Sequence, residues 1–451
     1  MATEIIVPSA LPQEMNFSLP ASLPSCKNFE IRIQPVNAQS FTAGNTIQID
    51  IPCGRRGQYL DPTTTYLRFK STFTHAGAIS TDCSRLIGSA YSYFSKQEVY
   101  GNNSIQLETI GELGVLANML LNSQLNASDK LGLSSSLGFA YDLTVQNSSN
   151  ATVGHKIYSS ANLENLTFEY AIPLIGILGS GTDKMLPIGA FYSLRLELTM
   201  DSFSNFVIDS TANKTTLCTI SEVEFVGNVI ELSSDSQSLI ETQNPSKIHI
   251  RSQSFRTSTN NLTGGSGTGL YDLLIGTRVS SLKSLYVTCS PSNAIEGKFA
   301  GVNPNLTQGT CLVLGGQSYP QRTINPAYHP ADAFLCLQKS IGALNMVNYN
   351  GSISKIGFFT SSTATGLMPA YNTTLASCLT NPNQFYLGFD VETISHKGGL
   401  LSGLNVNGSP SFFRAQVDAA LSAYTHTFYF FAFHDVILEI DVLAKTIVSK
   451  F

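Results

Sequence analysis

Alternation of apolar and polar residues with a period of two is the most regular pattern in the chain. Two runs between residues 47 and 73 show it, with apolar side chains at alternate positions: Ile47, Ile49 and Ile51, then Leu67, Phe69 and Phe73. This period buries one face of a strand and leaves the other in water. A turn containing Gly54, Gly57 and Asp61-Pro62 lies between the runs. We therefore expect the two strands to be antiparallel neighbours in a β-sandwich.

The same period recurs to the end of the chain. Residues 192–200 give the cleanest example, and we predict further strands at 31–33, 88–101, 165–174, 223–229, 248–250, 282–288, 385–389 and 436–442. Charged residues make up only 13% of the chain, and Gly, Ser, Thr and Asn crowd the segments between strands. This balance is typical of sheets joined by many turns, so the predicted fold class is all-β.

Two segments change to the helical period of three to four residues. The first is Glu108–Leu121, and the second is the segment PADAFLCLQKSIGAL, which begins at Pro330. Each follows a strand pair, which predicts two copies of one plan with one short helix in each. The polar stretch from Asn122 to about Ala161 reads as a long surface loop.

A polar segment, residues 233–246, interrupts the strands near the middle of the chain. A chain of 451 residues and 48.6 kDa is long for one core, so we place a domain boundary there, with domains at 28–240 and 241–451. Residues 1–27 contain Pro8, Pro12, Pro20 and Pro24 without a sustained period. They are predicted to form an extended arm that contacts neighbouring chains.

Charge and cysteine usage narrow the functional class. The net charge of -5, without a long basic cluster, argues against nucleic-acid binding as the main activity. No apolar run approaches the ~18 to 20 residues of a membrane span. The amino terminus lacks the pattern of a signal peptide, so we expect all eight cysteines to be reduced: Cys26, Cys53, Cys83, Cys218, Cys289, Cys311, Cys336 and Cys378.

The search for catalytic chemistry finds three weak motifs. Gly264–Gly269 (GGSGTG) has no strand-then-helix context or following Lys, so a flexible loop is favoured over a phosphate site. His434 and Asp435 are adjacent on a strand and point to opposite faces, which disfavours an acid–base pair. Arg55-Arg56 is typical of a solvated turn. We therefore predict no catalytic, cofactor-binding or metal-binding residue, and no enzyme activity.

Four segments together carry a resemblance to a known family. They are IPCGRRGQYLDPTTTYLRF, SLKSLYVTC, GGQSYPQRTINPAYHPADAF and FYLGFDVETISHKGGLLSGLNVNGSPSFFR. In these segments the chain resembles the major capsid proteins of polinton-like viruses, adintoviruses and related eukaryotic DNA viruses. The resemblance implies a double jelly roll, two tandem eight-stranded sandwiches with long surface loops.

The same resemblance implies a function and partners. Three chains would form a pseudo-hexameric capsomer, and capsomers would tile an icosahedral shell around a dsDNA genome. The implied partners are the chain itself as a homotrimer, neighbouring capsomers, a penton protein and minor capsid proteins, without sequence-specific binding of nucleic acid. The implied location is the virion, assembled inside the host cell.

Two other classes of function remain open from the residues alone. A carbohydrate-binding or adhesive β-sandwich would use exposed aromatic residues, but the chain has no Trp, the commonest residue for stacking on sugars. A glycoside hydrolase of jelly-roll type would need two carboxylates that face each other across a cleft.

Overall fold

The structure, a computed structural model, describes most of the chain. The described residues are 26–76, 84–102, 104–139, 166–179, 181–182, 184–209, 215–265, 268–307, 309–343, 351–359, 382–392, 401–417 and 424–451. The predicted arm, except for its last two residues, lies outside them.

The first half of the chain folds into two facing antiparallel sheets. One has the strand order β1-β11-β4-β8 with β2 paired to β11, and the other has the order β3-β9-β6-β7. A separate two-stranded ribbon joins β5 and β10. The bounds are β1 Cys26–Ile33, β2 Ser40–Phe41, β3 Thr46–Ile51, β4 Gln58–Ala76, β5 Ser84–Leu86, β6 Phe94–Gly101, β7 Ile105–Gly111, β8 Leu166–Pro173, β9 Leu194–Met200, β10 Val207–Asp209 and β11 Thr215–Leu232.

The second half repeats this arrangement. One sheet has the order β12-β19-β14-β17 with β20 paired to β19, and the other has the order β13-β18-β15-β16. The bounds are β12 Lys247–Leu262, β13 Gly269–Ile275, β14 Leu282–Pro291, β15 Gly309–Leu314, β16 Gln317–Ile324, β17 Tyr386–Asp390, β18 Ser411–Val417, β19 His426–Asp441 and β20 Thr446–Lys450.

The two halves have the same topology. When the eight main strands of each half are numbered in chain order, both halves have one sheet ordered 1-8-3-6 and a facing sheet ordered 2-7-4-5. This interleaving of early and late strands is the jelly roll, so the predicted double jelly roll is confirmed. The pairing expected for residues 47–51 and 67–73 is wrong. They are strands β3 and β4, which lie in opposite sheets and face each other across the core, because β3 pairs with β9 and β4 pairs with β11 and β8.

The described helices lie between strands or beside the sheets. Their bounds are α1 Leu113–Gln124, α2 Ala127–Leu137, α3 Phe203–Phe206, α4 Ser234–Gln243, α5 Pro330–Ser340 and α6 Lys355–Phe358. Both α1 and α5 fall between the fifth and sixth strands of their halves, as the repeated plan predicts. Two predictions need correction. Residues 108–111 belong to β7, and α2 replaces part of the predicted surface loop, because the Asn126 side chain caps it by accepting from the Asp129 N–H at 2.7 Å.

The hydrophobic core extends across the boundary between the halves. A second-half cluster fills the space between its own two sheets and includes Leu312, Phe413 and Phe430. The larger first-half cluster also takes in second-half residues, among them Tyr286 and Phe431. The sheet that contains β14 and β19 is therefore apolar on both faces, which explains why all ten residues of β14 are buried.

Candidate assembly interface

The junction between the sandwiches begins with a buried carboxylate on β7. Glu108 is 3% exposed, and its Oε1 accepts hydrogen bonds from Ser254 Oγ of β12 at 2.5 Å and from the Ile177 N–H at 3.0 Å. Gln97 Nε2 donates to Oε2 at 3.4 Å. Burial raises the pKa of Glu108 to about 7, and these hydrogen bonds act in the opposite direction. Glu108 therefore ties an edge strand of the first half to the first strand of the second half.

Further hydrogen bonds extend the junction from β7 and β12 to β20 and to the loop that contains Gly181. Thr257 Oγ1 of β12 donates to the Gly111 carbonyl oxygen of β7 at 2.7 Å, and Asn102 Nδ2 donates to the Ile447 carbonyl oxygen of β20 at 3.2 Å. The Gln253 N–H donates to the Gly181 carbonyl oxygen at 2.8 Å. A Cβ at Gly181 would collide with the Gln253 carbonyl oxygen, so the close approach of this loop requires glycine.

A buried lysine from the second half joins two carboxylates of the first. Lys298 Nζ lies 2.7 Å from Glu112 Oε2 and also pairs with Asp201, and its side chain is 11% exposed. Burial lowers the pKa of Lys298, but the charges and hydrogen bonds of the two carboxylates outweigh this effect and the net shift is upward. The next residue, Phe299, packs against Gly114 of α1, where a Cβ would come within 3.2 Å of the ring.

Aromatic side chains complete the junction. Tyr286 of β14 and Tyr429 and Phe431 of β19 belong to the core cluster of the first half, and Phe431 is completely buried. Asn122 Nδ2 of α1 donates to the Tyr386 hydroxyl of β17 at 3.0 Å. These contacts give the two sandwiches a continuous apolar interface with hydrogen-bonded polar groups, which resembles an obligate interface.

The outward face of the first half is charged. Arg68 of β4 pairs with Glu169 of β8 at 2.5 Å and with Glu224 of β11 at 3.1 Å, and Lys70 pairs with Glu222 at 2.7 Å. The two carboxylates raise the pKa of Arg68, mainly through their hydrogen bonds. Such cross-strand pairs suit a sheet face in contact with water.

A groove of about 820 Å³ lies beside the junction. Side chains of α1 and α2 line one part of it, and Phe255, Tyr286 and Phe433 line another. Glu392 is the one carboxylate among its lining residues, and it pairs with Lys283 at 2.7 Å. The described groove therefore does not supply the two facing carboxylates that the hydrolase hypothesis requires.

The structure separates the residues of the suspected acid–base pair. His434 Nδ1 lies 3.1 Å from the Asp435 backbone carbonyl oxygen, whereas the Asp435 carboxylate accepts from Arg251 at 3.0 Å and from Ser281 at 2.8 Å. Burial lowers the pKa of His434 to about 4. The Asp435 carboxylate therefore contacts Arg251 and Ser281, and the His434 ring contacts the backbone of Asp435.

The other weak motifs are also accounted for where they are described. Arg55 and Arg56 pair with Glu231 at 3.1 Å and Glu241 at 2.7 Å, so both arginines of the turn have partners within the chain. Gly264 and Gly265 lie between β12 and β13, in a strand–strand connection. Residues 266 and 267 of this motif lie outside the described residues.

Neither a disulfide nor a cluster of metal ligands is found among the described residues. The six described cysteines are free, and Cys83 and Cys378 lie outside those ranges. In the part of the chain that was searched, no three His, Cys, Asp or Glu side chains come together as a metal site. None of the described helices combines the length and apolar character needed to cross a membrane.

Neither Glu108 nor Lys298 is identified from the sequence as a residue of the junction. The helix predicted at Glu108–Leu121 includes Glu108, although its alternation with Leu107 and Thr109 is also compatible with a strand. Lys298 lies in an irregular segment, and no local pattern marks it as a residue buried between two carboxylates. Glu108 and Lys298 become junction residues only because the two halves of the chain pack against each other.

The architecture defines the class as a double jelly-roll protein. The structure is similar to that of the Faustovirus major capsid protein, with a TM-score of 0.56 and 9% identity over 94% of this chain and 92% of that one. It is also similar to the mavirus major capsid protein, with a TM-score of 0.52 and 11% identity over 100% and 97% of the two chains.

A chain in the Sputnik virophage structure is similar too, with a TM-score of 0.55 and 12% identity over 99% of this chain and 93% of that one. At these low identities the similarity establishes the fold alone. The matches extend over almost the whole chain. No protein-family model matches the sequence, and no curated protein matches it either.

Proposed function

We propose that the chain is a structural major capsid protein that trimerises into pseudo-hexameric capsomers and tiles an icosahedral shell around a dsDNA genome. The observation that carries the proposal is the double jelly roll along nearly the whole chain, which is shared with the Faustovirus and mavirus major capsid proteins. A rigid pair of sandwiches with a buried, apolar junction suits a tile in a lattice.

The proposal assigns roles to the parts of the chain. Residues 28–240 and 241–451 are the two jelly rolls, and residues 1–27 are an arm that reaches a neighbouring capsomer. The partners are two further copies of the chain, neighbouring capsomers, and penton and minor capsid proteins of the same virion. The role is structural and not enzymatic, which agrees with a described groove that has a single, ion-paired carboxylate.

Light scattering and negative-stain microscopy of the purified full-length chain test this function. We expect particles with the mass of three chains and a hexagonal outline, because six similar sandwiches surround one three-fold axis. A monomer at every protein and salt concentration would contradict the proposal. Binding of such a monomer to a glycan array would favour the carbohydrate-binding or adhesive alternative.

A further inference from the structure

The side chains of Lys130, Lys283 and Lys298 are largely buried, but the three lysines differ in their partners. Lys283 pairs with Glu392 at 2.7 Å, and Lys298 pairs with the two carboxylates described above. Lys130 of α2 is 8% exposed, and within the described residues no carboxylate pairs with it. Its Nζ donates instead to the side-chain oxygen of Asn122, a neutral group. A buried lysine without an opposite charge holds its proton weakly.

The surroundings of Lys130 favour a neutral, nucleophilic amine. Burial lowers the pKa of Lys130 to about 8, and the Phe139 ring lies 5.9 Å from Nζ. Near neutral pH part of the population therefore carries an amine with a free electron pair, which is the reactive form of lysine. For Lys298 the net pKa shift is upward, because its two carboxylates stabilise the charged form.

The Asn122 carboxamide is held in a fixed position beside this amine. Asn122 lies on α1 and is 3% exposed. Its Oδ1 accepts from Lys130 Nζ, and its Nδ2 donates to the Tyr386 hydroxyl oxygen at 3.0 Å and to Asn118 Oδ1 at 3.3 Å. The carboxamide carbon, Cγ, is one bond beyond the oxygen that contacts the amine. Two reacting groups held together in this way need no further loss of translational freedom in order to react.

The Tyr386 hydroxyl is placed to supply a proton to the amide nitrogen. Tyr386 is 2% exposed, and burial raises its pKa, so the hydroxyl keeps its proton. In the contact with Asn122 the tyrosine oxygen accepts, so this contact leaves the hydroxyl hydrogen unused. When an amine adds to Cγ, Nδ2 gains a lone pair that faces this hydroxyl, which then acts as a general acid.

We propose that Lys130 and Asn122 condense into an isopeptide bond, a covalent modification that joins α2 to α1. The Nζ lone pair forms a bond to Cγ, and the Cγ–Nδ2 bond breaks. The Tyr386 hydroxyl gives its proton to Nδ2, which leaves as ammonia, and regains a proton from Nζ. The products are one secondary amide and one ammonia, so no oxidant, reductant or cofactor is required. The proposal does not depend on the proposed function, because both partners belong to one chain.

The bond would fasten a helix that has few other anchors. Of the eleven residues of α2, only Lys130 and Leu137 are buried, whereas eight residues of α1 are buried. Through Asn122, α1 also contacts β17 of the second half. A link between Lys130 and Asn122 therefore ties α2 covalently to the junction between the two sandwiches.

Mass spectrometry of the denatured full-length chain tests the bond. We expect an intact mass that is lower than the mass given by the sequence by one ammonia molecule. Asp-N protease cleaves before Asp129, which lies between the two partners in the chain. After this digestion the segments that contain Asn122 and Lys130 should remain joined in one product. A succinimide at Asn122 would cause the same loss of mass but would leave the two segments separate.

Three variants assign the link to these residues. Lys130→Met and Asn122→Ala each remove one partner, and both the mass deficit and the joined product should disappear. Lys283→Met is the matched control, because it removes another buried lysine and should leave both signals unchanged. An unsubstituted chain with the full sequence mass, or with segments that separate after Asp-N digestion, would overturn the proposal. This outcome is read on the unsubstituted chain, so it holds even where a variant fails to fold.

Discussion

The third strand of each sandwich occupies the same place in the same sheet order, but the two strands have different surroundings. In the first half, β4 buries Leu67, Phe69 and Phe73 and directs Arg68 and Lys70 outward into ion pairs. In the second half, every residue of β14 is buried.

The difference arises from what covers the second face. On β14, the hydroxyl groups of Ser284 and Tyr286 donate to the Ser340 carbonyl oxygen of α5 at 3.1 and 2.9 Å. The neighbouring strand β19 packs Tyr429 and Phe431 into the core cluster of the first half. Topology therefore determines which strands are neighbours, whereas the position of a sandwich in the chain determines whether its outer sheet face is wet.

The largest expected effect comes from an aromatic residue on the covered face. Phe431→Ala should reduce the free energy of unfolding by roughly 3–5 kcal/mol, because it leaves a cavity between the halves. Urea denaturation at one protein concentration measures the loss. The control is Tyr66→Ala on the outer face of β4, where the side chain is half-buried. Equal losses for the two variants would show that the covered face is not a second core.

The buried lysine gives the next largest effect. Lys298→Met should destabilise the chain by about 3 kcal/mol, because it removes the cationic partner of Glu112 and Asp201 in a junction that is largely shielded from water. The matched control is Lys70→Met, since Lys70 pairs with Glu222 at the same distance of 2.7 Å but on an exposed face. Comparable midpoints of denaturation for both variants would contradict this account of the junction.

Glu108 makes the junction sensitive to pH. Its folded-state pKa of about 7 lies above the ordinary value of 4.5, so the folded chain holds a proton that the unfolded chain releases between these values. The contribution to stability is fully present below about pH 4.5 and is lost as the pH rises to about 7, with a total change on the order of 3 kcal/mol.

Denaturation midpoints measured from pH 5 to pH 8 test this linkage. The downward slope should disappear in Glu108→Gln. Glu169→Gln is the control, because the hydrogen bond from Arg68 lowers the pKa of Glu169 below its ordinary value, so this substitution should leave the slope between pH 5 and pH 8 unchanged. A Glu108→Gln profile parallel to that of the unsubstituted chain would rule out Glu108 as the source of the slope.

The smallest effect is expected on the wet face. Arg68→Ala should change the free energy of unfolding by less than about 1 kcal/mol, because water and salt screen its pairs with Glu169 and Glu224. Raising the salt concentration should reduce even this difference, which denaturation at low and high salt would reveal. A loss as large as that of Lys298→Met would mean that another surface covers this face in solution.

Much of the fold could be predicted from local patterns. The alternation at residues 192–200 became β9, whose apolar side chains Leu194, Leu196 and Leu198 are all buried. Pro330 marked the first residue of α5, and the helices between the fifth and sixth strands revealed the repeat. These features depend on periods of two and of three to four residues, which a sequence displays directly.

Pairing and the junction could not be predicted in this way. The runs at residues 47–51 and 67–73 are close in sequence, but consecutive strands of a jelly roll often lie in opposite sheets. Closeness in sequence therefore did not predict which strands pair. The run from Phe428 to Phe433 is recognisable as a strand. The sequence does not show that its alternate side chains enter two different core clusters.

The strands, the repeated order of elements in the two halves and the resemblance to double jelly-roll capsid proteins can all be inferred from the amino-acid order, because each rests on short-range patterns. Only the folded chain shows that Glu108 meets Ser254, that Lys298 bridges two carboxylates and that β1 and β16 are more exposed than the equivalent strands β12 and β7. Burial, desolvation and charge pairing at these positions depend on segments that are far apart in the chain, and the local period of apolar residues contains no information about which distant segment will pack there.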